Sequence, residues 1–82
     1  MNEDYFEKRK QELIDKLNFY VANNQIDGNE IKNYDIMLKI LDELSFSNRL
    51  RRKGSISYTV VDSLSIDRDL GSELIVFDNS IY

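Results

Sequence analysis

Between Ile31 and Leu44 the chain carries eight apolar residues whose placement limits what it can become. At 100° per residue, Ile31, Tyr34, Ile36, Met37, Leu38, Ile40, Leu41 and Leu44 spread over an arc of roughly 220°. Lys32, Asp35, Lys39, Asp42 and Glu43 are confined to the remaining arc of roughly 100°. A helix that only lids a core needs an apolar stripe of about 100°, so this one must be covered on more than one side. Its start is marked by Asp27, with Glu30 three positions on as in a capping box, and Ile26 and Ile31 stand where a hydrophobic staple would put them. A first helix is predicted from about Glu3 to Ala22, with Phe6, Leu13, Ile14, Leu17, Tyr20 and Val21 on one stripe. Asn2 or Asp4 can cap it, and Asn23-Asn24 supplies a stop that tolerates the left-handed conformation. The short link to Asp27 makes the two helices antiparallel neighbours.

After Ser45 the pattern changes. Asn48 to Gly54 is a basic junction, and from Ser55 the apolar period becomes two, with Ile56, Tyr58 and Val60 alternating with Ser57, Thr59 and Val61. Leu64 and Ile66 continue the alternation among Ser63, Ser65 and Asp67. An acidic turn, Asp67 to Gly71, leads to Leu74-Ile75-Val76-Phe77, which reads as a strand apolar on both faces. The fold expected is therefore α+β: an antiparallel helical hairpin followed by a small antiparallel β-hairpin or three-stranded meander. One domain spans 1–82, with the hairpin at 3–48, the junction at 49–54 and a β-rich segment at 55–82. A small sheet leaves open edges, so a homodimer is expected through the sheet or the second helix, around Ile36, Met37, Ile40, Leu44, Leu74 and Val76. The competing arrangement covers that side within one chain, using Leu64–Leu70 and the Ile81-Tyr82 tail.

The 82 residues contain no His, Cys, Trp or Pro. That excludes zinc fingers, Cys–His or Ser–His nucleophile pairs and disulfide frameworks. No apolar run approaches the roughly 18 residues of a membrane span, and no signal peptide is visible, so a cytoplasmic protein without membrane contact is expected. A chain this small has little room for a dry pocket and has no glycine-rich phosphate loop, so neither an enzyme nor a cofactor is expected. The segment Asn23 to Glu30 fails as a calcium loop, because with Gly28 at the loop's glycine position the bidentate Glu falls on Tyr34. No metal site is expected.

Two surfaces are candidates for binding. Arg49, Arg51, Arg52 and Lys53 gather four of the eleven positive charges, and guanidinium groups suit phosphate. The order of two helices, basic turn and hairpin resembles a winged helix-turn-helix, which implies a dimeric nucleic-acid-binding regulator. Against it, outside the cluster seven basic residues face fifteen acidic ones, the reverse of a nucleic-acid binder's balance. A second helix this apolar is also a poor recognition helix. Cations beyond a helix C-terminus explain the cluster more simply.

The other surface is acidic: Asp62, Asp67, Asp69, Glu73 and Asp78. As solvated turn and gatekeeping charges these need no function. As a contact surface they would meet a groove built for nucleic acid. In size and composition the chain resembles accessory proteins of bacteriophages and mobile elements of low-GC bacteria. That resemblance implies an inhibitor or modulator of a host or phage protein, such as an anti-CRISPR or other anti-defence protein. The partner-binding residues expected are Asp67, Asp69 and Glu73, with Tyr58 or Tyr82 as aromatic anchors.

Overall fold

A computed structural model describes residues 2–62 and 66–80, with the side chain of Asp62 left aside. These residues form four α-helices: α1 Glu3–Asn23, α2 Gly28–Glu43, α3 Ser55–Asp62 and α4 Arg68–Ser80. No strand occurs among them, so the α+β expectation and its β-hairpin are corrected to an all-helical fold.

The front half follows its sequence signals. Asn2 accepts the Tyr5 N–H at 2.8 Å and Asp27 accepts that of Glu30 at 2.9 Å, each satisfying a donor that a helix start leaves without a partner. Phe6, Leu13 and Leu17 are buried on α1. Asn24 ends that helix in an extended conformation (φ −130°), not the left-handed one anticipated. The carbonyls of Phe19 and Tyr20 instead receive the side-chain amides of Asn23 and Asn24, at 2.8 and 2.9 Å. On α2 the centre of the apolar arc is buried (Tyr34, Met37, Leu41, with Leu44 just beyond), and Leu38 and Ile40 are half-buried. The two ends of the arc, Ile31 and Ile36, stay exposed. One chain thus covers most of this helix, with α1 on one side.

The back half is helical because its apolar residues meet the core at helical spacing. Leu70, Leu74 and Phe77 recur at four and three, and all are buried on α4, whereas Val76 is 64% exposed. The tetrapeptide read as a two-faced strand is one helical turn with a buried and an open side. On α3, Ile56 is buried and Val60, four residues on, packs against the core. Tyr58, placed with them by the alternation, is 70% exposed. The β-branched content of Ser55–Asp62 favours a strand only weakly, and tertiary contact overrides such a preference.

α1 lies at the centre. Its Phe6 ring meets Phe77 at 5.6 Å between centroids and Phe46 at 5.9 Å. Tyr20 stacks on Tyr34 at 5.3 Å, and Lys10 donates to the Leu44 carbonyl at 2.7 Å. These contacts run α2 and α4 antiparallel to α1, one on each flank. α3 packs on α4 beside Gly71, where an added Cβ would meet the Val60 side chain at 3.4 Å, about van der Waals contact. The acidic turn expected from Asp67 to Gly71 is instead the cap and first turn of α4, with Gly71 inside the helix. Gly54, with φ +84°, makes the turn into α3, a backbone state that glycine adopts without strain.

Candidate functional site

Where the C-terminal half of α1 faces the start of α4, the surface opens into a cleft of about 440 Å³. α1 supplies Asp15, Lys16, Phe19 and Tyr20 to its walls, and the opposite side is Asp67, Asp69 and Leu70. Phe19 stands there 69% exposed, while Leu70 is buried at the cleft's base.

Each wall residue is held by local physics. Asp67 caps α4: its carboxylate accepts the Leu70 N–H at 3.2 Å, and its carbonyl accepts that of Gly71 at 2.8 Å. Its own N–H donates to the Tyr34 hydroxyl at 2.8 Å, so α2 reaches under the cleft and fixes where α4 begins. Burial raises the Tyr34 hydroxyl above its ordinary pKa of 10, and it stays protonated. Asp15 accepts the Gln11 side-chain amide at 3.0 Å. The Lys16 ammonium donates to Glu73 at 2.5 Å, and Arg9 reaches the same carboxylate at 3.4 Å. Among the lining residues described, the cation Lys16 is thus held in an ion pair with Glu73. Asp15, Asp67 and Asp69 stand at the edge of a lining that is otherwise almost wholly apolar, with exposed Arg68 between the last two.

Of the expected partner-binding residues, Asp67 and Asp69 therefore come together. Glu73, one turn further along α4, is spent on joining α4 to α1. Tyr58 is on α3, and Tyr82 lies outside the described residues, as do Ile81, Ser63, Leu64, Ser65 and the Asp62 side chain. Asp78 is no surface residue. It is buried, accepting the backbone N–H groups of Gly54 at 3.3 Å and Ser57 at 2.9 Å at the start of α3. Phe19 and Tyr20 were missed as cleft residues. The sequence signal was an aromatic pair one position apart at the end of an amphipathic helix, the second on its apolar stripe.

The basic junction is built rather than open. The Arg49 guanidinium lies 3.6 Å over the Phe46 ring and donates to the Phe46 carbonyl, while Arg52 pairs with Glu43 at 3.8 Å. Asn48 bridges the Ser45 N–H and the Glu43 carbonyl, at 2.8 and 3.0 Å. Arg51 and Lys53 are exposed. The residues named for a dimer divide as well. Met37, Leu44 and Leu74 are buried within one chain and Ile40 is half-buried, leaving Ile36 and Val76 on the surface. The sheet route to a dimer goes with the sheet.

The Lys16 hydrogen bond, with Arg9 behind it, holds the Glu73 carboxyl below its ordinary value of 4.5 despite partial burial. A carboxyl lowered in the folded state adds stability above its unfolded pKa and loses it as pH falls through the folded one. Glu73→Gln should therefore cost up to about 1 kcal/mol at neutral pH, and the gap from the parent should close on acidification past the lowered pKa. Urea midpoints of both proteins, followed stepwise from pH 7 downward, check this; a gap that never narrows with acid would assign the loss to packing.

No family model, curated protein or solved structure matches the chain. Among the described residues no helix is long and apolar enough to cross a membrane.

Proposed function

We propose that the protein acts by binding another protein, as an inhibitor or modulator, through the acidic face made by α1 and the start of α4. The observation that carries this reading is the cleft: an exposed Phe19 over a buried Leu70, bordered by Asp15, Asp67 and Asp69. An aromatic anchor beside an apolar recess, with charge at the rim, is how protein interfaces concentrate their energy. The charge selects a basic partner. A host protein that binds nucleic acid presents such a surface, because it must attract phosphate, and an acidic chain seated there blocks the nucleic acid. This is the role the likeness to phage and mobile-element accessory proteins implies.

A pull-down from host lysate, read by mass spectrometry, tests the reading when wild type and Phe19→Ala are run side by side. Phe19 is exposed, so its truncation should leave the fold intact, while capture of the partner drops about tenfold, the effect of a typical hot spot. An empty wild-type capture, or the same proteins held equally by the variant, would overturn it. Salt-sensitive retention of nucleic acid in a gel shift would move the function to Arg49, Arg51, Arg52 and Lys53.

A further inference from the structure

One of the four helices is held differently from the rest. α3 has eight residues, fewer than the roughly 12–15 at which a helix persists alone in water. Four of them, Ile56, Thr59, Val60 and Val61, are β-branched, a type that favours a helix less. α3 is therefore a helix only while it is docked. Its packing is on α4, and among the described residues what it shares with α1 and α2 is slight. Of its described side chains Ile56 alone is buried, Val60 lies beside Gly71, and Tyr58 and Val61 face solvent. α1, α2 and α4 each bury three residues or more.

Its polar fastenings are equally few. The N–H groups of Gly54 and Ser57 both end on one carboxylate, that of Asp78. The Ser55 and Ser57 hydroxyls are buried with no hydrogen-bond partner among the described residues, a cost that undocking removes by returning them to water. Gly54, at φ +84°, gives the chain a pivot just before the helix. The contacts that fix α4 to α1 and α2 bypass α3: Phe77 on Phe6, Glu73 with Lys16 and Arg9, and the Asp67 N–H on the Tyr34 hydroxyl. We infer that α3 is a latch, which undocks from α4 and unfolds as one unit while α1, α2 and α4 stay folded. Opening bares the side of α4 that carries Gly71 and Asp78, with Ile66 next to it. The chain thus has a second conformation, and a partner that binds only one of the two shifts the balance between them.

Hydrogen exchange of the ¹⁵N-labelled full-length protein, read residue by residue in D₂O with and without low urea, tests the latch. The amides of Gly54 and of residues 57–61 should share one opening equilibrium, with protection about 100-fold below that of residues 13–17, 37–41 and 74–77. Their rates should barely respond to urea, because such an opening exposes little surface. Protection and urea dependence equal to those of α1 would mean that α3 opens only with the whole molecule. Loss of α4 together with α3 would mean that the pair leaves as one, and protection graded from one end of α3 would be fraying. Each of these three results overturns the latch. Ser57→Ala deletes a buried hydroxyl and keeps the N–H that Asp78 accepts, so it should slow exchange across α3 severalfold. Faster exchange would show that the hydroxyl holds the helix down and would overturn this account of its release.

Discussion

Phe6→Ala should remove about 3–5 kcal/mol of folding stability, the range for truncating a buried phenylalanine. Phe6 is fully buried and its ring touches those of Phe46 and Phe77. It therefore ties α1 to the segment after α2 and to α4 at one point. Ring contacts of this kind add about 0.5–1.5 kcal/mol beyond buried area, and three elements meeting there leave little freedom to collapse into the void. Domains of this size have only about 4–12 kcal/mol in total, so the variant should unfold at far lower urea concentration or be partly unfolded without it. Urea denaturation followed by far-UV circular dichroism measures the effect. A loss under about 1.5 kcal/mol, below the phenylalanine range, would mean that the ring does not join the elements as described.

Asp78→Ala should cost about 2–3 kcal/mol, although it deletes only a carboxylate. Asp78 is 1% exposed, and its two oxygens each accept one backbone N–H from the start of α3. Removing the acceptor leaves two part-buried donors without this partner, and a charge-assisted bond is among the costlier ones to lose. The carboxylate also opposes the positive end of the α3 dipole. It does so from near the C-terminal end of α4, where a negative charge disfavours its own helix. Asp78→Asn should fall between the parent and the alanine variant, since one amide oxygen can still accept while the NH₂ faces a donor. Amide hydrogen exchange gives the sharper readout: protection in Ser55–Asp62 should drop in the alanine variant, with α1 and α2 little changed. Uniform loss across all helices would contradict an α3-specific cap.

How much of this was visible beforehand depended on helix length. α1 and α2 are long enough that their stripes outvote any local ambiguity, and their caps, Asn2 and Asp27, stand where the sequence put them. α3 has eight residues, too few to separate Ile56 and Val60 at spacing four from an alternation that also passes through Tyr58. On α4, Leu74 to Phe77 forms an unbroken apolar run, which carries no period. The helical signal lay outside the run, in Leu70 four residues earlier and in Asp67 as its cap. Asp78 was misplaced for the same reason. Only on a helix does it share the inner face with Gly71 as well as Leu74, where a carboxylate among core residues would have stood out. The acidic rim was half legible: Asp67 and Asp69 come from one turn of sequence, but Asp15, Phe19 and Tyr20 reach them only through the packing of α1 on α4.

That packing carries a consequence for synthesis. α1 is synthesised before α4, yet Phe6 completes its surroundings with Phe77, near the end of the last helix described. Until then the nascent hairpin of α1 and α2 shows part of its oily stripe to the cell. The first two helices therefore reach their finished packing only once α4 has followed them, and until then they expose apolar surface of the kind that chaperones recognise.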